Sequence, residues 1–600
     1  MKIKLAKYVA EFLVRQGIED CFMVTGGGAM HLDDALGHER GLRCIFNHHE
    51  QACSIAAEGY TRMTNKLCAV CVTSGPGGTN AITGVMGAWL DSIPMLVLSG
   101  QVKRETTAWS CAELGLRQLG DQEFDIINSV SNMTKYAVMV TDPLDIAYHL
   151  EKAVYLATSG RGGPVWLDIP LDVQGAFVET DALRHFNADI EYPWQVPRVT
   201  ESLAKSILEK IRKAKAPLIL AGTGIRLGGA EEKLLALLDK LRIPVVTAWN
   251  AGDTVAYDNP YFAGMPGTVG TRAGNFAVQQ CDLLLSLGCR LNIRMIGYNR
   301  YDFARNAYKI IVDIDPRELI KPTIRPDMPI NADVSDLLDK LLEGDYTPVD
   351  SHSRWLDWCR ELVYKYPAAC EEYRHGGAPI NPYIFIDKLF ERLTPDDRIV
   401  CGNGSACVVT FQAAKIKQGQ RMFTNSGCAA MGYGLPAALG VAVSDNTRRT
   451  VCIDGDGSLM MNLQELATVA HNKLNIKLFI INNNGYHSIR QTQTNLFGSP
   501  LIGVDGKSGI GFPDFEKLCD AFGLAYYRFD CERDADDVIA EVLASDGPAV
   551  CEVVVDTKQN FAPKSSSRVL PDGRIVSPSL NDMSPFLDRE EFRRITETKF

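Results

Sequence analysis

The sequence predicts an α/β protein of three doubly wound parallel-sheet domains, and three observations lead there. The chain has 600 residues, well above the roughly 100 to 200 of one domain. Short apolar runs recur between helical stretches and end in glycine-rich turns, the pattern of strands buried on both faces. The alternation lapses near residues 183–199 and 346–380 and restarts each time, as it does across linkers.

The first region, 1–182, opens with an amphipathic helix carrying Val9, Phe12 and Leu13 and ending near Gly17. Apolar strands are expected at 20–24, 69–73, 95–99 and 165–169. Three loops follow strand ends, where ligands bind in open parallel sheets. They are Thr25 to His31, Asn47-His48-His49-Glu50-Gln51, and Thr73-Ser74-Gly75-Pro76-Gly77-Gly78-Thr79-Asn80. The last lacks the third glycine of a dinucleotide fingerprint. The linker that follows contains Tyr192-Pro193-Trp194. The second region, 200–345, restarts with strands at 218–221, 243–246, 283–287 and 310–314. Its loop Gly222 to Gly228 has Leu227 where the fingerprint needs glycine. A second linker, rich in helix formers and aromatics, precedes the third region, 381–557. Residues 558–600 are polar and dotted with Pro and Ser, and read as a tail or closing flap.

Charge and cysteine usage narrow the function classes. Lys plus Arg 62 against Asp plus Glu 73 gives a net charge of −11 without long runs, so no nucleic-acid surface is expected. The start of the chain resembles neither a signal peptide nor a membrane span, which points to the cytoplasm. Seventeen cysteines at irregular spacing read as buried thiols of a reducing compartment. Cys68 and Cys71 lie three apart in a strand and so point to opposite faces, a poor metal or redox pair.

The strongest chemical signal runs from Gly455 to Gly485. Gly455-Asp456-Gly457-Ser458 follows the strand Thr450 to Ile453; a helix with Leu463, Leu466, Ala467 and Ala470 facing the core is expected next. A second strand, Lys477 to Ile481, then ends on Asn482-Asn483. Glycines at a helix start let backbone N–H groups meet phosphate oxygens. Asp456, Asn483 and the carbonyl of Gly485 offer the hard oxygens that Mg²⁺ prefers, with phosphates completing the shell. Four residues of this kind make an ordinary turn, but the 24 residues from Ser458 to Ile481 followed by an asparagine pair make a specific pattern.

This segment resembles the diphosphate and metal motif of thiamine-diphosphate enzymes. With Glu50, the GPGGTN loop, Leu98-Ser99-Gly100-Gln101, and Asn425 to Pro436 in place, nearly the whole chain looks like the acetolactate-synthase branch. The resemblance implies a pyrimidine-binding, a central and a diphosphate-binding domain, with thiamine diphosphate and Mg²⁺ as cofactors. It implies that Glu50 is the base at the aminopyrimidine, beside Pro76 and Asn80, and that Gly404, Ser405, Gly455, Asp456, Gly457, Ser458, Asn483, Gly485 and Tyr486 form the diphosphate side. Ala429 would offer its carbonyl to the amino group, and Met431 would bend the cofactor so that proton removal becomes intramolecular. Gln101, His31 and His487 are the candidate substrate-facing residues, with His48 and His49 further possibilities. Arg290, Arg294, Asp313 and Asp333 align with FAD or ADP contacts, although Val269 stands where a synthase histidine is usual.

The implied reaction decarboxylates a 2-oxo acid and joins the remaining unit to an acceptor carbonyl. Apolar Ile489 stands where simple decarboxylases of the superfamily carry a proton-donating carboxylate, which favours ligation. The acceptor-pocket tryptophan of the synthases is absent, Ser405-Ala406 replaces their Gln-His pair, and Arg490 could suit an acidic or phosphorylated acceptor such as a keto-sugar nucleotide. A non-ligating decarboxylase, a C–C hydrolase and a catalytically silent cofactor-binding paralogue are the alternatives. The resemblance also implies a homodimer or homotetramer with sites at subunit boundaries.

Overall fold

The computed structural model describes every residue except 194, 570 and 571, so Trp194 and part of the tail lie outside the described residues. Three parallel sheets, each flanked by helices, follow one another along the chain. In the first, the strands run in the order Arg43–Phe46, Asp20–Met23, Ala69–Val72, Met95–Gln101, Pro164–Pro170, Tyr136–Met139, all parallel. The third sheet runs Arg421–Phe423, Arg398–Cys401, Thr450–Gly455, Ile476–Asn482, Ala549–Val554, Ala525–Phe529. Numbered within each domain, both sheets have the order 2-1-3-4-6-5, a shared architecture that left no visible sequence repeat. The central sheet has five parallel strands, Val245–Thr247, Pro217–Ala221, Leu283–Leu287, Tyr308–Asp313 and Met328–Asn331. The central strands are buried along their whole length, because helices cover both faces.

The first and third domains share one core. Helix Glu50–Thr64 lies on helix Gly434–Ser444, and Ala56, Ala57 and Tyr60 pack with Leu435, Ala437, Ala438 and Val441 in the same apolar cluster. A buried ionic junction joins all three domains beside it. Arg62 meets Glu58 and, at 3.0 Å, Asp91; Tyr433 donates to Glu58 at 2.7 Å. Arg421 pairs with Asp253 at 2.5 Å and donates to the Arg62 carbonyl. Burial of charge is tolerated there because each ion has an opposite partner or hydrogen bonds.

Both expected linkers turn out to be docked segments. Helix Ser351–Lys365 buries Trp355, whose indole donates to the Pro217 carbonyl at 2.9 Å. Lys152 sits over the rings of Tyr136, Tyr148, Phe186 and Tyr192, fastening the first linker. The C-terminal segment carries helix Arg589–Thr596, and Phe600 packs edge-on to Trp355 and Trp358. The helix expected after Ser458 is broken: Asp456–Leu459 and Glu465–His471 are separate. Asn462 between them donates to the Gly432 carbonyl at 2.7 Å, so Glu465, Leu466, Thr468 and Val469 are the buried positions while Leu463, Ala467 and Ala470 are half-buried. All seventeen cysteines are free thiols; Cys68 and Cys71 lie in different clusters, on opposite faces of their sheet. Among the described residues, no helix is long and apolar enough to cross a membrane.

Candidate functional site

Two half-sites form at the carboxyl ends of the first and third sheets. In the first, Glu50 begins its helix after His49, whose Nδ1 accepts from Gln51 N at 3.1 Å. Asn80 Nδ2 donates to Glu50 Oε2 at 2.9 Å. Pro76 starts the helix Pro76–Asp91, and the turn before it depends on Gly75 at φ +59°. A Cβ on Gly77 would lie 3.8 Å from Glu50 Oε1, so the glycine loop and the glutamate are adjacent. Glu50 has no described hydrogen bond or ion pair to the Gly455 to Tyr486 half-site.

Gln101 is buried and its amide is fully engaged. Nε2 donates to the Phe124 carbonyl at 2.9 Å and to Asp168 at 3.0 Å, while Oε1 accepts from Val102 N. Asp168 also accepts from Ser99, and burial pushes its carboxyl up to about 7. His31 lies apart from this cluster, with Nδ1 3.0 Å from Lys4 Nζ and Nε2 beside Gly175. Burial, followed by the Lys4 charge, lowers its pKa. His48 projects an exposed side chain.

In the third domain, Asp456 is buried at the end of its strand. Oδ1 accepts from Gly457 N at 2.8 Å and Oδ2 from Gly485 N at 2.7 Å. Burial pushes its carboxyl up to about 7 against the opposing effect of those two amides. Gly485 at φ +119° lets its amide reach Asp456; its carbonyl accepts from His487 N at 3.0 Å. Asn483 Nδ2 donates to Ser405 Oγ at 3.1 Å, and its buried Oδ1 has no partner. Ser405 begins a nine-residue helix after Gly404 at φ +77°. Ser458 Oγ accepts from Gly432 N at 3.0 Å, and the Tyr486 ring lies against Gly457, where a Cβ would come within 2.3 Å. Ala429 holds a left-handed conformation, φ 56°. Met431, a large apolar side chain, remains 36% exposed.

These residues fit a metal-bound diphosphate. Asp456 and the orphaned Asn483 Oδ1 make an all-oxygen donor set of the kind hard cations take. Among the described residues, no group of three His, Cys, Asp or Glu could hold a metal without outside ligands, so such a cation would need oxygens from its ligand. His487 is buried with its ring edge-on to Phe561 at 5.6 Å, and burial lowers its pKa. The Arg490 guanidinium donates to the carbonyls of Asn483, at 3.0 Å, and Asn484, while its buried Nε has no hydrogen-bond partner.

Sequence reasoning missed two buried carboxylates. Asp454 sits between Gly402 and Gly434, positions where a Cβ would approach its oxygens within 1.9 and 2.5 Å. Glu465 accepts from residues of the first domain. Glu465 lay inside the Gly455 to Gly485 segment and Asp454 immediately before it, but only an apolar neighbourhood distinguishes a buried acid from a solvated one.

A cavity of about 640 Å³ opens between the domains, lined by Arg290, Arg294, Asp313 and Asp333 together with Asp91 and Gly427. Burial lifts Asp313 to about 6. Part of the cavity's lining is backbone: Gly224 and Gly288 both line it, and a Cβ on Gly224 would come within 2.7 Å of Gly288 Cα. Val269 packs instead against the third domain's core.

Residues 3–129, 204–341 and 402–553 match the N-terminal TPP binding, central and C-terminal TPP binding domains of thiamine pyrophosphate enzymes. The chain is 32% identical over 579 residues to the acetolactate synthase large subunit of Cyanidium caldarium, covering 93% of this chain and 95% of that one. It is 32% identical to the isozyme 2 large subunit of Escherichia coli K12 (96% and 100% covered) and 30% to the Lactococcus lactis large subunit (94% and 95%). With three matched domains and two half-sites built at matching sheet ends, the chain belongs to the thiamine pyrophosphate enzymes, in their acetolactate synthase large-subunit branch.

Proposed function

We propose that this enzyme is a carboligase that decarboxylates a 2-oxo acid such as pyruvate and transfers the two-carbon unit to an acceptor carbonyl, a keto-sugar or another ketone. The observation that carries the reading is the buried Asp456 and the unpartnered Oδ1 of Asn483 at the ends of two neighbouring strands, in a chain whose relatives are named acetolactate synthases. Thiamine diphosphate, when bound, supplies the nucleophile and the electron sink that decarboxylation of a 2-oxo acid requires.

The chain's own residues do the rest. Asp456, Asn483 and the Gly485 carbonyl would hold Mg²⁺, and backbone N–H groups near Gly404, Ser405, Gly457 and Ser458 would receive phosphate oxygens. Glu50, oriented by Asn80, would exchange a proton with the aminopyrimidine ring, which is general acid–base work. Met431 and the Ala429 carbonyl shape and orient the cofactor, and Tyr486 closes the diphosphate side. Gln101 orders the 102–124 segment. Gln101, His31 and His487 are the substrate-facing candidates, His487 being the one beside the diphosphate half-site. Ile489, 51% exposed on the first turn of helix His487–Leu496, offers no proton at the reacting end and supports transfer to a carbonyl.

The interdomain cavity suits ADP or FAD: Arg290 and Arg294 face it as cations for a diphosphate, and the glycine lining admits close approach. Exposed Phe46 and Met30 near the first half-site, and Leu496 and Phe497 near the second, support a homodimer or homotetramer in which another copy covers them. Incubating the purified protein with pyruvate, thiamine diphosphate and Mg²⁺ should give CO₂ with acetolactate or acetoin. Acetaldehyde as the sole organic product would overturn ligation.

A further inference from the structure

Glu465 belongs to the third domain, nine residues beyond Asp456, and is completely buried. No described ion pair includes it. Its carboxylate is satisfied instead by hydrogen bonds that cross to the first domain. Oε1 accepts from the His48 backbone N–H at 3.0 Å and Oε2 from Asn47 Nδ2 at 2.9 Å, while Thr468 Oγ1 donates to Oε2 at 2.8 Å. Asn47, His48 and His49 are the whole connection between strand Arg43–Phe46 and the helix that Glu50 begins. Asn47 is fixed on its other side by donating its backbone N–H to the Met23 carbonyl at 3.0 Å. With so short a connection, the positions of residues 47 and 48 set where the helix starts and where Glu50 points.

We infer that Glu465 is the positioning residue for Glu50. From the domain that carries the diphosphate motif it clamps the three-residue turn from which Glu50 projects. This rests on the assignment of Glu50 as base made above. A carboxylate accepting from N–H groups makes charge-assisted bonds, stronger than neutral ones, and no other described group bonds the His48 amide. Glu465 touches neither Asp456 nor Asn483 through any described hydrogen bond, so its loss should disturb base alignment and leave diphosphate binding alone.

The test uses the full-length chain and three variants, Glu465→Ala, Glu465→Gln and Asn47→Ala. In the cofactor-free protein, amide deuterium exchange of the 45–50 segment should quicken in Glu465→Ala and Asn47→Ala. With thiamine diphosphate and Mg²⁺ saturating, exchange of the coenzyme's C2 hydrogen, read by NMR after acid quench, should slow in Glu465→Ala by about ten- to a hundredfold, the cost of a misplaced group. The coenzyme dissociation constant should not change. Glu465→Gln should recover most of the rate, because the Asn47 amide can rotate its unpartnered Oδ1 toward the new NH₂. Asn47→Ala, which leaves Glu465 intact, should lower the rate in the same direction. Native C2 exchange in both Glu465→Ala and Asn47→Ala, or a loss of coenzyme affinity matching the loss of rate, would overturn the inference while leaving Glu50 as base. Absence of C2 exchange in the unaltered protein would overturn both.

Discussion

A Cβ placed on Gly440 would lie 1.9 Å from the carbonyl oxygen of Ala56. The helices of the two half-sites therefore meet at backbone contact, and Gly59 repeats the relationship at 2.5 Å from the Ala437 carbonyl. In an open helix interior, Gly→Ala stabilises by about 1 kcal/mol. Here overpacking of roughly 1–3 kcal/mol opposes it, and a clash with rigid backbone belongs at the upper end. Gly440→Ala should lower the melting temperature, measured by calorimetry; a rise would show that the helices separate easily.

Asp456→Ala should weaken Mg²⁺-dependent thiamine diphosphate binding by more than the roughly 10–100-fold that loss of an outer-shell partner costs. Titration followed by tryptophan fluorescence checks this. Chelation of the metal should lower the melting temperature of the loaded protein, since a ligand bound only to the folded chain at a hundred times its dissociation constant stabilises by about 2.7 kcal/mol.

Glu50→Gln keeps the shape but removes the titrating carboxyl. Turnover with pyruvate should fall by about 10²–10⁴, the range of a general acid–base contribution, with an unchanged far-UV circular dichroism spectrum. Activity at the original level would remove Glu50 from its role.

Asp168 supplies a pH dependence. Burial, opposed by the hydrogen bonds from Ser99 and Gln101, raises its folded carboxyl to about 7 from 3.8. Between those values the folded chain holds a proton that the unfolded chain has released. The stability this group contributes is therefore complete at low pH and is lost as pH rises through 7. Asp168→Asn cannot ionise; its carbonyl oxygen can still accept from Gln101 Nε2 while its NH₂ donates to Ser99 Oγ, so the urea midpoint of the variant should fall less than the wild type's between about pH 5.5 and 8.5.

Arg490 holds the carbonyls of Asn483 and Asn484. Arg490→Met should weaken metal and coenzyme binding by loosening that turn, by about tenfold if an outer-shell partner is the right comparison. The order of preference among acceptors, profiled by mass spectrometry, should stay the same. A changed order would return the side chain to the acceptor site.

Much of this was legible in the sequence. Buried parallel strands read as apolar runs because both faces are covered, so the three domains and most strand positions could be written down in advance. The Gly455 to Gly485 segment was legible because a diphosphate and a metal constrain neighbouring residues through the local backbone. Short edge strands such as Arg421–Phe423 and Met328–Asn331 were not, since one neighbour and three or four residues leave little periodicity. The broken helix after Ser458 was missed because its interruption comes from Asn462 bonding across to Gly432.

The sequence by itself determined the fold class, the family and the two local motifs, because spacing along the chain carries strand–turn–helix geometry directly. Only the tertiary structure decided which polar groups are engaged: that the Gln101 amide is fully used, that Arg490 serves the Asn483 turn, and that Glu465 reaches back to the turn before Glu50. Those outcomes depend on hydrogen bonds that reach 67 and 418 positions along the chain, fixed by how sheets and helices pack, and one chain's pattern carries no record of such distances.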